Sequence, residues 1–240
     1  MHKLKCLLFF WLSFQSYGAM CTDTLMINSA FTPPVSTILE QIISEACKRL
    51  NVKLEFHELT GERALVLANQ GEADGECCRI PEIVLREYQN LMQVPEGVFV
   101  VNFSAFTRRP DIKIHGWNDL KPHSVGTVTG WKILVQNMQT ISPAQSIVLD
   151  TPDSLFRMLD MGRIDVGLYG ELSGLDVIQR LNLKYINIQQ PPLASHTLYL
   201  MLNKRHQALA PKFAAVFKSM KKDGTSNRII NKVMGKTRPD

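Results

Sequence analysis

The chain predicts an α/β fold built from two similar units, and three observations carry that expectation. A short phrase recurs as Gly71-Glu72-Ala73-Asp74-Gly75 and Gly162-Arg163-Ile164-Asp165-Val166-Gly167, with its aspartates 91 positions apart. Each copy follows a leucine-bearing helical stretch and precedes a new apolar segment, which is the glycine-turn punctuation of α/β chains. Runs of strand length alternate with helical periodicities along most of the chain, which favours parallel βαβ units.

The first unit opens with a buried strand over residues 24–28 and a turn through Phe31-Thr32-Pro33-Pro34. Ile38, Leu39, Ile42, Ile43, Ala46, Cys47 and Leu50 then recur at the spacing of a one-faced helix packed on a sheet. A second strand alternates over 52–57, a helix covers 62–69 and stops at Gly71, and a short third strand follows over 73–77. The segment 99–107 is apolar and extended until Arg108-Arg109-Pro110 breaks it.

The order then repeats. Asp119-Leu120-Lys121-Pro122 leads into a strand over 124–128, the turn Thr129-Gly130-Trp131, and a helix carrying Ile133, Leu134 and Met138. A strand over 146–149, a helix over 154–161 capped by Thr151 or Asp153, and a strand over 164–169 complete the unit. The chain runs on through 181–188, breaks at Pro191-Pro192, and extends again over 196–202. It ends in helices carrying Leu209, Phe213, Val216, Phe217 and Met220, then Ile229, Ile230, Val233 and Met234.

The amino terminus sets the compartment. His2, Lys3 and Lys5 give a basic start, residues 7–14 are apolar, and Ser16-Tyr17-Gly18-Ala19-Met20-Cys21 supplies small residues for signal peptidase. Residues 1–21 therefore read as a cleaved signal peptide of a periplasmic protein, with cleavage after Gly18 or after Cys21. A lipid anchor on Cys21 is the alternative, with Met20 an awkward neighbour. No stretch approaches the roughly 20 apolar residues of a spanning helix. About 220 residues remain, enough for one large domain or two small lobes.

Losing Lys3 and Lys5 takes the formal charge from +5 to +3, too mild to imply nucleic acid. The basic run Lys218-Ser219-Met220-Lys221-Lys222 falls near a helix end, where cations complement the dipole. In an oxidising compartment, one bridge from Cys47 to Cys77 or Cys78 is expected. Zinc would want more cysteine or histidine at suitable spacing, and His57, His115, His123, His196 and His206 form no such cluster. No metal or other cofactor is expected.

The element order, the two Gly-to-Asp phrases, Asp119-Leu120-Lys121 before Val125-Gly126, and the ending from Lys222-Asp223-Gly224-Thr225 through Ile229 to Gly235 together resemble periplasmic solute-binding proteins of family 3. These are the Venus-flytrap receptors of polar amino-acid importers, and the resemblance spans essentially the whole mature chain. It implies a two-lobe, type II fold with a two-strand hinge, crossing near 102–107 and 194–198 and closing on a ligand. It divides the chain into a signal peptide 1–21, a first lobe 22–103, a second lobe 104–196, and a return of 197–240 to the first lobe. The expected activity is capture of a small polar or carboxylate-bearing solute by a monomeric, non-catalytic receptor that serves an ABC-type inner-membrane permease.

Two other readings stay open. One is a sensing or accessory protein on the same fold, working through a separate membrane partner. The other is a cyclohexadienyl dehydratase-like enzyme with Glu76 or Glu171 as its acid, although no nucleophile elbow, metal signature or phosphate loop accompanies it.

For the ligand site, Thr127, Thr129, Gly130 and Trp131 stand where a strand ends and a helix begins, and the unpaired N–H groups of a helix start suit an anion. The family binds a ligand carboxylate at this turn, usually with a small hydroxyl residue where Trp131 stands here. In the first lobe the resemblance implies a carboxylate-binding arginine, whose planar fork bonds a carboxylate bidentately. Arg79 and Arg86 are the two candidates, Arg79 preferred, and an ion pair with Glu76 or Glu82 is the structural role open to either. Phe31 occupies the loop where the family often stacks an aromatic. Counting five residues from Asp165, the acid that usually accepts the ligand's ammonium falls on Gly170, with Tyr169 and Glu171 as neighbouring candidates. These departures weigh against a standard α-amino acid.

Overall fold

The computed structural model describes residues 24–237, so the expected leader, its two cleavage points and Cys21 lie outside the described residues. The first half runs β1 (Thr24–Ser29), α1 (Val35–Arg49), β2 (Lys53–Glu58), α2 (Gly61–Gln70) and β3 (Gly75–Arg79). A short helix α3 (Pro81–Val84), a short strand β4 (Leu91–Gln93) and the long β5 (Phe99–Thr107) lead onward. The second half runs β6 (Ser124–Val128), α4 (Lys132–Ile141), β7 (Gln145–Leu149), α5 (Pro152–Asp160) and β8 (Val166–Gly170). After α6 (Glu171–Arg180), β9 (Asn187–Ile188) and the long β10 (Ala194–Asn203), the chain closes with α7 (Ala210–Lys222) and α8 (Thr225–Thr237).

The strand order is β2-β1-β3-β10-β5-β8-β6-β7, with β4 on β10 and β9 on β5. Both ends of this series are built alike. β1 lies parallel between β2 and β3, and β6 lies parallel between β7 and β8. β10 runs antiparallel to β3, and β5 runs antiparallel to β8. The two long strands join the halves, pairing antiparallel from Ala194 opposite Phe103 to Leu198 opposite Phe99. This is an α/β, two-lobe, type II binding-protein fold with a two-strand hinge, the architecture the sequence predicts. β10 carries the chain back to the first half, where α1 packs on α7 and α8.

Local chemistry explains the element ends. Gly71 and Gly162 close α2 and α5 with φ of 83° and 66°, the left-handed conformation that costs glycine no Cβ clash. Thr151 caps α5, its Oγ1 accepting the Ser154 N–H at 3.2 Å. On α1, Ile38, Leu39, Ile42 and Ile43 are all within 1% of full burial, and each such side chain stabilises the fold by roughly 1.5–3 kcal/mol. A separate cluster around Phe106, Leu155, Phe156 and Leu159 fills the second half.

Two expectations are corrected. Cys47 does not bridge to Cys77 or Cys78: those two neighbours are bonded to each other, and Cys47 is a buried free thiol. The topology accounts for this, because Cys47 sits in the last turn of α1, at the end of the lobe where β3 begins, whereas Cys78 lies at the far end of β3. The stretch after β8, read only as a run of chain toward 181–188, contains the ten-residue helix α6.

Candidate ligand-binding cleft

The carboxyl ends of β1 and β3 in one half, and of β6 and β8 in the other, point at a shared cavity of about 880 Å³. Parallel strands in both halves place their loops and helix starts on the same side, so side chains from distant parts of the sequence converge. Phe31 and Arg79 come to the wall from the first half, and Thr129, Gly130, Trp131 and Tyr169 from the second.

An aromatic set bridges the two sides. The Trp131 indole meets Phe31 edge-on with centroids 5.6 Å apart, Phe103 at 4.9 Å and Tyr169 at 6.0 Å. Such T-shaped pairs set the positive ring edge against a negative face. Burial of the Tyr169 phenol pushes its pKa up, against the opposing pull of Trp131 and Thr32. Gly130 holds φ at 95°, which turns the chain sharply into α4. The Thr129 N–H is already donated to Leu149 O at 2.8 Å and that of Trp131 to Val128 O at 3.4 Å. The N–H groups at this helix start without a backbone acceptor among the described residues are therefore those of Gly130, Lys132 and Ile133, all on the wall.

Arg79 is oriented from within its own half. Its Nη2 donates to Gly61 O at 2.9 Å, and its Nε lies 2.9 Å from Glu76 Oε1. That pair is an ion pair without an aligned hydrogen bond, and both Glu76 oxygens are fully buried. Burial pushes the Glu76 carboxyl upward, against the pull of the Arg79 charge. Cys78, from the disulfide that separates the pair, also lines the cavity.

Three residues singled out in the sequence stand off the wall. Arg86 is exposed beyond α3, its carbonyl accepting from Gln89 Nε2 at 3.0 Å. Thr127 is fully buried and donates to Leu168 O at 3.0 Å, a tie between β6 and β8. Glu171 opens α6, where its carboxylate accepts from Ser104 Oγ at 3.5 Å. Gly170 carries no acid, and a Cβ built on it would lie 3.9 Å from Trp131 Cζ2.

Sequence reasoning missed the charged contacts across the mouth. Lys132 Nζ of α4 lies 2.6 Å from Glu87 and 3.7 Å from Glu62, over the Tyr88 ring at 5.9 Å. The Tyr88 hydroxyl donates to Glu62. The adjacency of Lys132 to Trp131 was the available signal, because a residue opening α4 beside the turn must face the same gap. Among the described residues no group of three or more His, Cys, Asp or Glu side chains is placed to hold a metal, and no helix is long and apolar enough to cross a membrane.

No family model matches the chain. An uncharacterised protein of Shewanella oneidensis is 29% identical over 203 residues, spanning 79% of this chain and 73% of that protein. Among solved structures, a histidine kinase sensor domain with similarity to periplasmic binding proteins matches with a TM-score of 0.75 at 16% identity, covering 88% of this chain and 96% of that one. The GluR0 ligand-binding core in complex with L-glutamate gives 0.74 at 10% identity, over 87% and 97%. An ancestral arginine-binding protein bound to glutamine gives 0.70 at 18%, over 88% and 98%. At such identities the likeness is one of fold.

Proposed function

We propose that the chain is a non-catalytic, monomeric periplasmic receptor of the family 3 type, which captures a small polar or carboxylate-bearing solute between two lobes for ABC-type import. In this reading residues 22–103 and 197–240 form one lobe, and 104–196 the other. The observation that carries it is the shared cavity, walled by Phe31 and Arg79 on one side and by Thr129, Gly130, Trp131 and Tyr169 on the other. A solute touching both walls stabilises the closed arrangement, and only such differential contact can shift a hinge equilibrium. The proteins of like fold are binding and sensor domains, which supports a binding role.

The likeness to a kinase sensor domain favours a second reading, in which the closed receptor signals to a membrane partner instead of feeding a permease. The dehydratase reading has weaker support, since Glu76 is held against Arg79 and Glu171 lies off the cavity wall.

A thermal-shift screen against amino acids, organic acids and small peptides tests the proposal, because a ligand of the folded state raises stability by mass action. The expected result is a solute that raises the melting temperature and is recovered unchanged. Turnover of prephenate or arogenate would overturn the receptor reading, as would the absence of any binding solute across the screen.

A further inference from the structure

We infer that the cleft takes an apolar-bodied monocarboxylate without an α-ammonium group, and that Glu76 takes up a proton from solvent as this carboxylate reaches Arg79. The inference rests on the receptor reading and names the solute class of the same site.

The first observation is that Arg79 already has a counterion inside the protein. Glu76 is fully buried, 2.9 Å from Arg79 Nε, and neither of its oxygens accepts an aligned hydrogen bond. An ionised Glu76 therefore has the guanidinium alone to support it. Nη2 is committed to Gly61 O, while Arg79 remains on the cavity wall with Nη1 free of any acceptor among the described residues. A solute carboxylate binding there makes two carboxylates share one guanidinium in a water-poor site. Like charges so placed do not both ionise, and a proton settles on one of them.

Glu76 is the group that receives it. On the strands beside it, β1 presents Asn28 and β10 presents Met201. α2, packed on the same sheet, carries Glu62 and Arg63, and Tyr88 lies beyond α3. None of these acts on the Glu76 carboxyl, whose proton affinity is raised by burial and lowered by Arg79. With Arg79 drawn to the solute, burial remains, and the neutral form wins.

The second observation concerns the other end of the solute. Position 170 is glycine, and the Trp131 indole stands 3.9 Å from where its Cβ would be. Glu171 turns to Ser104, and the acids Glu58 and Asp150 are exposed at the rim, where water and salt screen them. Glu62, also exposed on the lining, already accepts from the Tyr88 hydroxyl and faces Lys132 Nζ at 3.7 Å. An ammonium entering among Phe31, Trp131, Tyr169, Leu65, Val84 and Leu198 would meet no buried carboxylate, the acids of the lining being exposed. An apolar or aromatic body fits that wall.

Calorimetric titration of the unmodified protein with 3-phenylpropanoate decides the matter, run in two buffers of different ionisation enthalpy beside phenylalanine and 3-phenylpropylamine. The expected result is that 3-phenylpropanoate binds tightest and that proton uptake approaches one per site. Affinity then falls as pH rises above the titration of unliganded Glu76, by up to about tenfold per pH unit. In Glu76→Gln the uptake vanishes and that pH dependence flattens; should this variant fail to fold, the buffer comparison on the parent still decides. Binding of 3-phenylpropanoate without proton uptake, or tighter binding of phenylalanine or the amine, overturns the inference and leaves the receptor reading standing. Binding of none of the three also overturns it, and the receptor reading is then judged separately by the thermal-shift screen.

Discussion

Asp74 and Asp165 hold equivalent posts in the two halves. Each carboxylate accepts a backbone N–H from the neighbouring first strand, Met26 at 2.7 Å and Ser124 at 3.0 Å. Each aspartate's own N–H returns to the carbonyl of that same partner, at 2.8 Å and 3.0 Å. An arginine completes each post, Arg205 on Asp74 at 2.6 Å and Arg109 on Asp165 at 3.0 Å. The recurring phrase therefore encodes a strand-to-strand tie at the end of each half away from the cleft.

Replacing either aspartate by alanine strips the acceptor from a part-buried backbone N–H, a loss of about 1–3 kcal/mol. Asp74→Ala and Asp165→Ala should each lower the urea midpoint with an unchanged slope. Ligand-induced stabilisation should survive in both. A variant that keeps its midpoint but loses ligand response would place the residue in the binding function instead.

Acid should act through the same two posts. Burial pushes both carboxyls up, but hydrogen bonds from Met26, Arg205 and His206 at Asp74, and from Ser124 and Arg109 at Asp165, outweigh it and hold both below the usual carboxylate range. With a depressed folded value, the unfolded chain binds protons first as pH falls. The contribution is thus complete above the unfolded value of about 3.9 and disappears as pH drops through the folded values below it. Urea midpoints should change little through these groups down to about pH 5 and then fall. The decline should be shallower in Asp74→Asn and Asp165→Asn than in the parent, a comparison in which the opposite effect of Glu76 cancels.

Thiol chemistry checks the disulfide. Burial on the inner face of α1 pushes the Cys47 thiol up to about 12, so little thiolate is present at neutral pH. Within residues 24–237, the native protein should show no thiol reactive to an aromatic disulfide reagent. Denaturation should expose one thiol, and prior reduction two more. Peptide mapping that joins Cys47 to either neighbour would contradict the arrangement.

Much of this was legible because period and spacing survive in a single sequence. α1 announces itself through a complete apolar stripe, the strand-to-helix junction points to the 129–131 turn, and closeness to the strand end points to Arg79. Counting from Asp165 leads to Gly170, with Tyr169 beside it on the cavity wall. The sequence places the third strand over 73–77, whereas β3 is Gly75–Arg79, since Ala73 donates back to Leu67 O of α2 and Asp74 belongs to the tie. α6 was hidden by Gly174, a poor helix former in isolation. It is required because a Cβ there would stand 2.4 Å from the Phe106 ring. Thr127 and Arg86 show the limit of position along the chain: strand alternation turns one away from the cleft, and the short turn of α3 carries the other out to solvent. Cross-cleft partners such as Lys132 and Glu87 are 45 positions apart, a separation that no local pattern encodes.

Lys132 fastens the mouth of the cleft to Glu87 and Glu62. All three are partly exposed, and such pairs contribute only about 0–1 kcal/mol. Lys132→Ala should therefore barely change unfolding stability, yet weaken solute binding by up to about fivefold. Small-angle scattering should record a larger radius of gyration for the unliganded variant. An unchanged radius together with unchanged affinity would show that the contact plays no part in closure.

Trp131 and Gly170 form one adaptation, because the indole stands beside the position that an acidic side chain would need. Gly170→Asp alone should force the carboxylate against the Trp131 ring, at a cost of about 1–3 kcal/mol typical of overpacking, and should not confer binding of an α-amino acid. Trp131→Ser alone removes the contacts with Phe31, Phe103 and Tyr169 and should lower the melting temperature while leaving no ammonium acceptor. The double variant supplies both the space and the acid, so its stability should exceed the sum of the two single effects. It alone should gain measurable affinity for phenylalanine by calorimetry. Amino-acid binding by Gly170→Asp with Trp131 intact would mean that the indole moves aside freely, and the two positions would then be independent.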